Sequence, residues 1–143
     1  MTHIDNLTDD DIRRILTDTK VIALVGASPR PERASNQVGR YLAARGYTVI
    51  PVNPRETGTE MFGQTCVGSL SDIRQPVDMV DIFRRTEEVE PVVDEALHAL
   101  LGLKYIWMQL EIVNEKAAAL ARAQGAGVVM DRCPAIEIPR LGM

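Results

Sequence analysis

Only two cysteines, Cys66 and Cys133, occur in the chain, far apart and in no metal-ligand pairing, so a reducing compartment is the simplest expectation. Basic runs are missing as well. Acids and bases are interspersed around a net charge of -4, and nothing on the surface is marked for the phosphate lattice of DNA or RNA. Any phosphate bound here should belong to a small molecule. No apolar run approaches the length of a bilayer span, and the acidic start MTHIDNLTDDDIRR has no apolar core segment. The chain therefore reads as soluble and cytoplasmic, with no membrane partner. Repeats and low-complexity linkers are also lacking. With 45% hydrophobic residues, the length suits one globular domain spanning residues 1–143.

What is present has a regular order. Thr8 followed by Asp9, Asp10 and Asp11 is an N-cap with acids in the first turn, and Ile12, Ile15 and Leu16 give the short helix its apolar face. Val21 to Val25 is a β-branched and aliphatic run, the pattern of a strand covered on both faces. From about Ser35 the spacing turns helical, with Val38, Tyr41 and Leu42 on one side and Gly46 as terminator. Tyr47 to Val52 predicts a second strand, closed by Asn53-Pro54. The next stretch, RETGTEMFGQTCVGSLSDIRQP, is rich in turn residues and predicts one short extended piece and one helical turn.

Val77 to Phe83 predicts the third strand. Val89, Val92, Val93, Ala96, Leu97 and Leu100 then fall at helical spacing before Gly102, with Pro91 in the first turn. A fourth strand, Tyr105 to Met108, precedes a helix capped by Asn114 with Ala117, Leu120 and Ala121 inward, and Gly127 to Met130 supplies the fifth. This alternation gives the α/β class: a single doubly wound parallel sheet with helices on both faces and right-handed crossovers. In such sheets ligands sit beyond the carboxyl ends of the strands, where strand order reverses.

The turn after the first strand is GASPRPERASN. A dinucleotide fingerprint needs three glycines, for the turn, for close approach to the pyrophosphate and for helix packing, and only Gly26 is in place. Two prolines stiffen a longer loop instead. Ser28, Arg30, Arg33 and the helix start near Ser35 nevertheless favour an anion; the competing reading makes the arginines solvated loop charges and Gly26 a simple turn. The second strand tip, Val52-Asn53-Pro54-Arg55, lacks the acid that an NAD ribose requires. Arginine there suits a phosphorylated ribose, as in NADP or coenzyme A.

Gly26-Ala27-Ser28 with Pro31-Glu32-Arg33, Val52-Asn53-Pro54, Asp81-Ile82-Phe83-Arg84-Arg85, Trp107-Met108-Gln109, Asn114-Glu115 and Asp131-Arg132-Cys133-Pro134 follow one another along the chain. Together they resemble the stand-alone CoA-binding domain proteins, relatives of the CoA-binding domain of the succinyl-CoA synthetase α-subunit and of ADP-forming acyl-CoA synthetases. The resemblance implies a Rossmann-like fold that holds coenzyme A or acyl-CoA across the strand tips. It puts Gly26, Ala27, Ser28 and Arg33 near the phosphates, Val52, Asn53 and Pro54 beside the adenosine, and Phe83, Arg84 and Arg85 at the next tip. Trp107, Met108 and Gln109 are implied to line the cleft toward the pantetheine arm. Two positions depart from the family pattern: Glu111 stands where glycine is common, and Ala135 where lysine follows Cys-Pro.

Catalytic machinery is not recognisable. His3 lies near the terminus, and His98 reads as a helix-surface or satisfied partly buried residue. Gly26-Ala27-Ser28 has Arg30 where a nucleophile elbow needs its closing glycine. Asp81 reads either as a ribose ligand or as a turn cap. For Cys133 two readings stand: a thiol made acidic by Arg132 and a helix start, able to form a mixed disulfide with coenzyme A, or a small apolar residue packed under the sheet. The expectation is a non-catalytic carrier, sensor or accessory protein for coenzyme A, with a homodimer or an unidentified protein partner both left open. The alternatives are an NADP-dependent reductase, for which no Tyr-x-x-x-Lys pair is present, and an interaction subunit with a vestigial pocket.

Overall fold

The computed structural model describes residues 3–143. Thr8 accepts from the Asp11 N–H while the Asp11 carboxylate accepts from the Thr8 N–H, a reciprocal cap that starts helix α1, Asp9–Asp18. Strand β1, Val21–Val25, leads through the proline-bearing loop into α2, Ala34–Ala44, and on to β2, Thr48–Val52. Two very short strands, β3 (Glu60–Met61) and β4 (Gln64–Thr65), follow before β5, Met79–Ile82. Then come α3 (Val89–Ala99), β6 (Tyr105–Met108), α4 (Glu115–Ala123), β7 (Gly127–Val129) and α5 (Pro134–Arg140).

The five longer strands form one parallel sheet in the order β2-β1-β5-β6-β7. Strand order therefore reverses between β1 and β5, the switch point of a doubly wound, Rossmann-like α/β sheet. Side chains alternate across it. Leu24, Met79, Trp107 and Val129 pack with α1, α2 and α5 on one face, and Val25, Ile82, Met108 and Val128 pack with α3 and α4 on the other. No helix among the described residues is long and apolar enough to cross a membrane.

Two local expectations need correction. The turn-rich stretch after β2 holds an antiparallel hairpin, β3 with β4, rather than one extended piece; strands of two residues are too short for any periodicity to show. In α4 the inward residues are Ala117, Ala118 and Ala121, whereas Leu120 is 38% exposed. The helix start considered at Cys133 is present as α5, with Pro134 in the first turn, where its missing N–H costs nothing.

Helix α5 is tied to the start of the chain by buried charge. The Arg132 guanidinium donates to both Asp5 carboxylate oxygens, at 2.7 and 3.0 Å, and to Glu137 at 2.7 Å. Glu137 also accepts from Arg140, which reaches Asp9 at the start of α1. Burial opposes ionisation of Asp5 and Glu137, but their hydrogen bonds, led by Arg132 for Asp5 and by Arg140 for Glu137, outweigh it and hold both carboxyls below their ordinary values. Removing Arg132 would leave the buried Asp5 without its arginine and Glu137 with Arg140 alone.

Arg132→Ala is therefore expected to destabilise the protein by about 3–5 kcal/mol in urea unfolding, the scale of a broken buried ion pair. Because the two carboxyls have depressed folded values, their stabilisation is complete above the ordinary carboxylate range and is lost as pH falls through the folded values. Acid titration of the wild-type midpoint should show that loss, and Arg132→Ala should flatten it.

Candidate functional site

The site begins where β1 ends. Gly26 adopts φ +88°, and a Cβ placed on it would collide with the Phe83 carbonyl oxygen at the tip of β5. Only glycine permits that approach. The Gly26 N–H donates to the Val52 carbonyl at 2.9 Å, and Phe83 N–H donates to Val25, so three neighbouring strand tips are fastened together. Asn53 adds a side-chain clamp: its Nδ2 donates to the Ala27 carbonyl at 2.8 Å, and its Oδ1 accepts from the Arg55 N–H.

Beyond these tips lies a polar trough of about 490 Å³, lined by Gly26, Ser28, Arg30, Arg33, Asn53, Arg55, Glu56 and Phe83. The start of α2 opens into it, and no side chain caps that helix end. No acid lies within ion-pair distance of Arg30, Arg33 or Arg55 among the described residues. Positive charge thus faces the trough from loop and strand tip together, a setting suited to phosphate.

An apolar slot of about 400 Å³ continues from the trough, sharing Ala34 and Phe83 with it. Val38, Leu110, Ile112 and Cys133 supply its apolar wall, Gln109 its amide, and Arg84 and Arg85 its rim. Both rim arginines are held by Glu88, at 2.9 and 3.0 Å. A smaller cavity of about 200 Å³ on the opposite side of the tips is lined by Val52, Pro54 and Arg84, with Gly68 and Ser69 from the irregular segment.

The sequence-selected residues thus separate. Gly26, Ser28, Arg33, Asn53 and Phe83 meet in the trough; Phe83, Arg84, Arg85 and Gln109 meet in the slot; Val52 and Pro54 line the smaller cavity. Ala27, Trp107 and Met108 do not join them. All three are fully buried, and Trp107 donates its indole N–H to the Arg132 carbonyl at 2.8 Å. Trp107 and Met108 belong to the sheet itself and point into opposite cores, so the expectation that they line the cleft is corrected to Gln109, Leu110 and Ile112. Leu110 and Ile112 carried no sequence signal beyond their place just past a strand.

Two further readings change. Asp81 is neither a ribose ligand nor a turn cap: it is fully buried on β5, with the Gln109 amide donating to it at 3.0 Å. Cys133 is 6% exposed, and burial pushes its thiol up rather than down, while Arg132 turns away to Asp5 and Glu137. His98 is exposed on α3 with its Nδ1 2.8 Å from the Asp94 carbonyl, remote from the tips. Glu111 has φ +68°, which explains a glycine preference there; its N–H donates to Asp131 at 2.6 Å, and its exposed side chain lines neither trough nor slot.

A parallel sheet whose order reverses beneath such a cleft defines a Rossmann-like α/β protein with its candidate site at the switch point. The chain belongs to the CoA binding domain family, whose profile matches residues 20–139. It is 38% identical over 130 residues to Uncharacterized protein YneT of Bacillus subtilis (strain 168), covering 91% of this chain and 93% of that one. A hypothetical protein from Pyrococcus horikoshii OT3 superposes with a TM-score of 0.91 at 41% identity, over 100% of this chain and 98% of that one. The dinucleotide forming acetyl-coenzyme A synthetase 1 of Ca. Korarchaeum cryptofilum, in complex with phosphate and ADP, shares 29% identity and a TM-score of 0.66. That match covers 83% of this chain and 27% of the larger one.

Two measurements check the local chemistry. Cys133 in the native protein should react with a thiol reagent near neutral pH far more slowly than a free thiol, and at the ordinary rate once the chain is unfolded. Rapid labelling of the folded protein at Cys133, located by peptide mass spectrometry, would contradict its burial. Glu111→Gly should stabilise the protein by about 1 kcal/mol in urea unfolding, since it relieves a left-handed side chain while the N–H bond to Asp131 is kept.

Proposed function

We propose that the protein binds coenzyme A, or its acyl derivatives, across the strand tips, with the phosphates in the trough and the pantetheine arm in the slot. The observation that carries this reading is the continuity of the two cavities through Ala34 and Phe83: a cationic half and an apolar half meet at the switch point. Coenzyme A has the same division, phosphates at one end and a thiol-tipped arm at the other. Arg30 and Arg33 are placed for the diphosphate, and Arg55, next to the Asn53 clamp, for the phosphate on the ribose. Family membership supports the same ligand.

The role is that of a carrier, sensor or accessory protein rather than a catalyst. His98 is remote, and the Ser28 hydroxyl accepts from the Arg30 N–H rather than facing a base. Chemistry on the thiol would belong to a partner that receives the bound coenzyme.

Thermal unfolding with coenzyme A, dephospho-coenzyme A, NADP and NAD separates the readings. Coenzyme A at about 100 times its dissociation constant should add roughly 2.7 kcal/mol of stability. Dephospho-coenzyme A should add less, because Arg55 loses its phosphate. Stabilisation by NADP and not by coenzyme A would overturn the assignment in favour of a reductase, and no shift with any of the four would leave a vestigial pocket. Arg33→Ala should weaken coenzyme A binding about tenfold, the scale of one charge-assisted hydrogen bond. Unchanged affinity would remove the loop from the phosphate site.

A further inference from the structure

Gln109 presents one pole of its amide to the slot, and Asp81 decides which. The residue is 6% exposed, and its Nε2 donates to both Asp81 carboxylate oxygens, at 3.0 and 3.3 Å. A carboxylate only accepts, so an ionised Asp81 fixes the amide with its NH₂ inward. No donor among the described residues reaches Gln109 Oε1, yet none of their sealed side-chain polar atoms lacks a partner, so this oxygen is open to the cavity that Gln109 lines. An unpartnered acceptor thus stands in a largely apolar wall.

Resting on the coenzyme A reading, we propose that Asp81 and Gln109 select the free thiol over its thioesters by setting a hydrogen-bond acceptor at the sulfur end of the slot. A single acceptor among Val38, Leu110, Ile112 and Cys133 matches a thiol, whose one weak donor sits on an otherwise apolar group. An amide of the pantetheine arm would leave its own carbonyl unpaired there. A thioester has no hydrogen on sulfur, and its carbonyl would meet Gln109 Oε1 acceptor to acceptor.

The polarity can reverse. Complete burial lifts the Asp81 carboxyl to about 7, against the lowering effect of its Gln109 hydrogen bond. Its register neighbours Leu24 on β1 and Trp107 on β6 are uncharged, and α2 brings Ala34 and Val38 to the slot. Cys133, at the start of α5, is the titratable group that couples to Asp81. Glu137 of α5 is held by Arg132 and Arg140, while Arg84 and Arg85 at the rim are held by Glu88. When Asp81 takes up a proton it becomes a donor, Gln109 turns its carbonyl inward, and the NH₂ enters the slot as a partner for a thioester carbonyl.

Calorimetric titration with coenzyme A and with acetyl-coenzyme A, from about pH 5.5 to about pH 8.5, tests this. At the alkaline end acetyl-coenzyme A should bind about fivefold more weakly, the scale of one neutral hydrogen bond, and the ratio should fall toward one at the acid end. Asp81→Asn should abolish the pH dependence. Gln109→Met, which removes both poles at similar volume, should bring the ratio near one throughout and serves if Asp81→Asn does not fold. Equal affinities at alkaline pH in the wild type, a pH dependence that survives in Asp81→Asn, or a fivefold ratio that survives in Gln109→Met would overturn the selectivity while leaving coenzyme A binding intact. Failure of both ligands to bind would overturn the coenzyme A reading and this inference with it.

Discussion

The contact between the Gly26 backbone and the Phe83 carbonyl is the constraint on which the rest of the site depends. A side chain at position 26 would hold the tips of β1 and β5 apart, and the trough and slot join there through Phe83. With glycine the chain turns at φ +88°, the Gly26 N–H reaches Val52, and the loop leaves in the direction that carries Arg30 and Arg33 over the trough. The prolines of that loop limit its freedom, while Asn53 holds its root through the Ala27 carbonyl. A glycine-rich turn would present mainly backbone at the strand tip; this turn presents arginine side chains to the trough instead.

Charge is distributed by function across the molecule. Around the trough the arginines have no acid within ion-pair distance among the described residues, whereas at the opposite side of the cleft Arg84 and Arg85 are held by Glu88. Arg132 is fully committed to Asp5 and Glu137, so it contributes to the union of the chain's two ends rather than to the cleft beside it. A buried ion network of this kind is strongly destabilised by loss of one member, even where its net contribution over an apolar replacement is small. It explains why a cysteine next to an arginine is not an activated one.

The legibility of the fold and of the site differed for physical reasons. Strands β1 and β6 and the start of α1 could be read to the residue, because continuous apolar runs and a reciprocal cap are local signals. The β3–β4 hairpin could not, since its two-residue strands have no period and form only by pairing with each other. At the site, the loop arginines and strand-tip residues were visible as a motif, but a motif does not say which face a strand residue takes. Trp107 and Gln109 share one face; Trp107 is buried in the core beneath α1, α2 and α5, and Gln109, two residues later, emerges at the slot.

By itself the sequence determined the α/β order, the lack of an acid at the second strand tip and the places where ligand groups could gather, because periodicity, caps and turn residues act over a few positions. Tertiary structure alone decided that Asp81 is sealed beneath Gln109, that Cys133 is apolar in character, and that Trp107 and Met108 are core. Burial and hydrogen-bond partnership come from residues distant in the chain. The same aspartate would be an ordinary surface acid if β6 and α5 did not close over it.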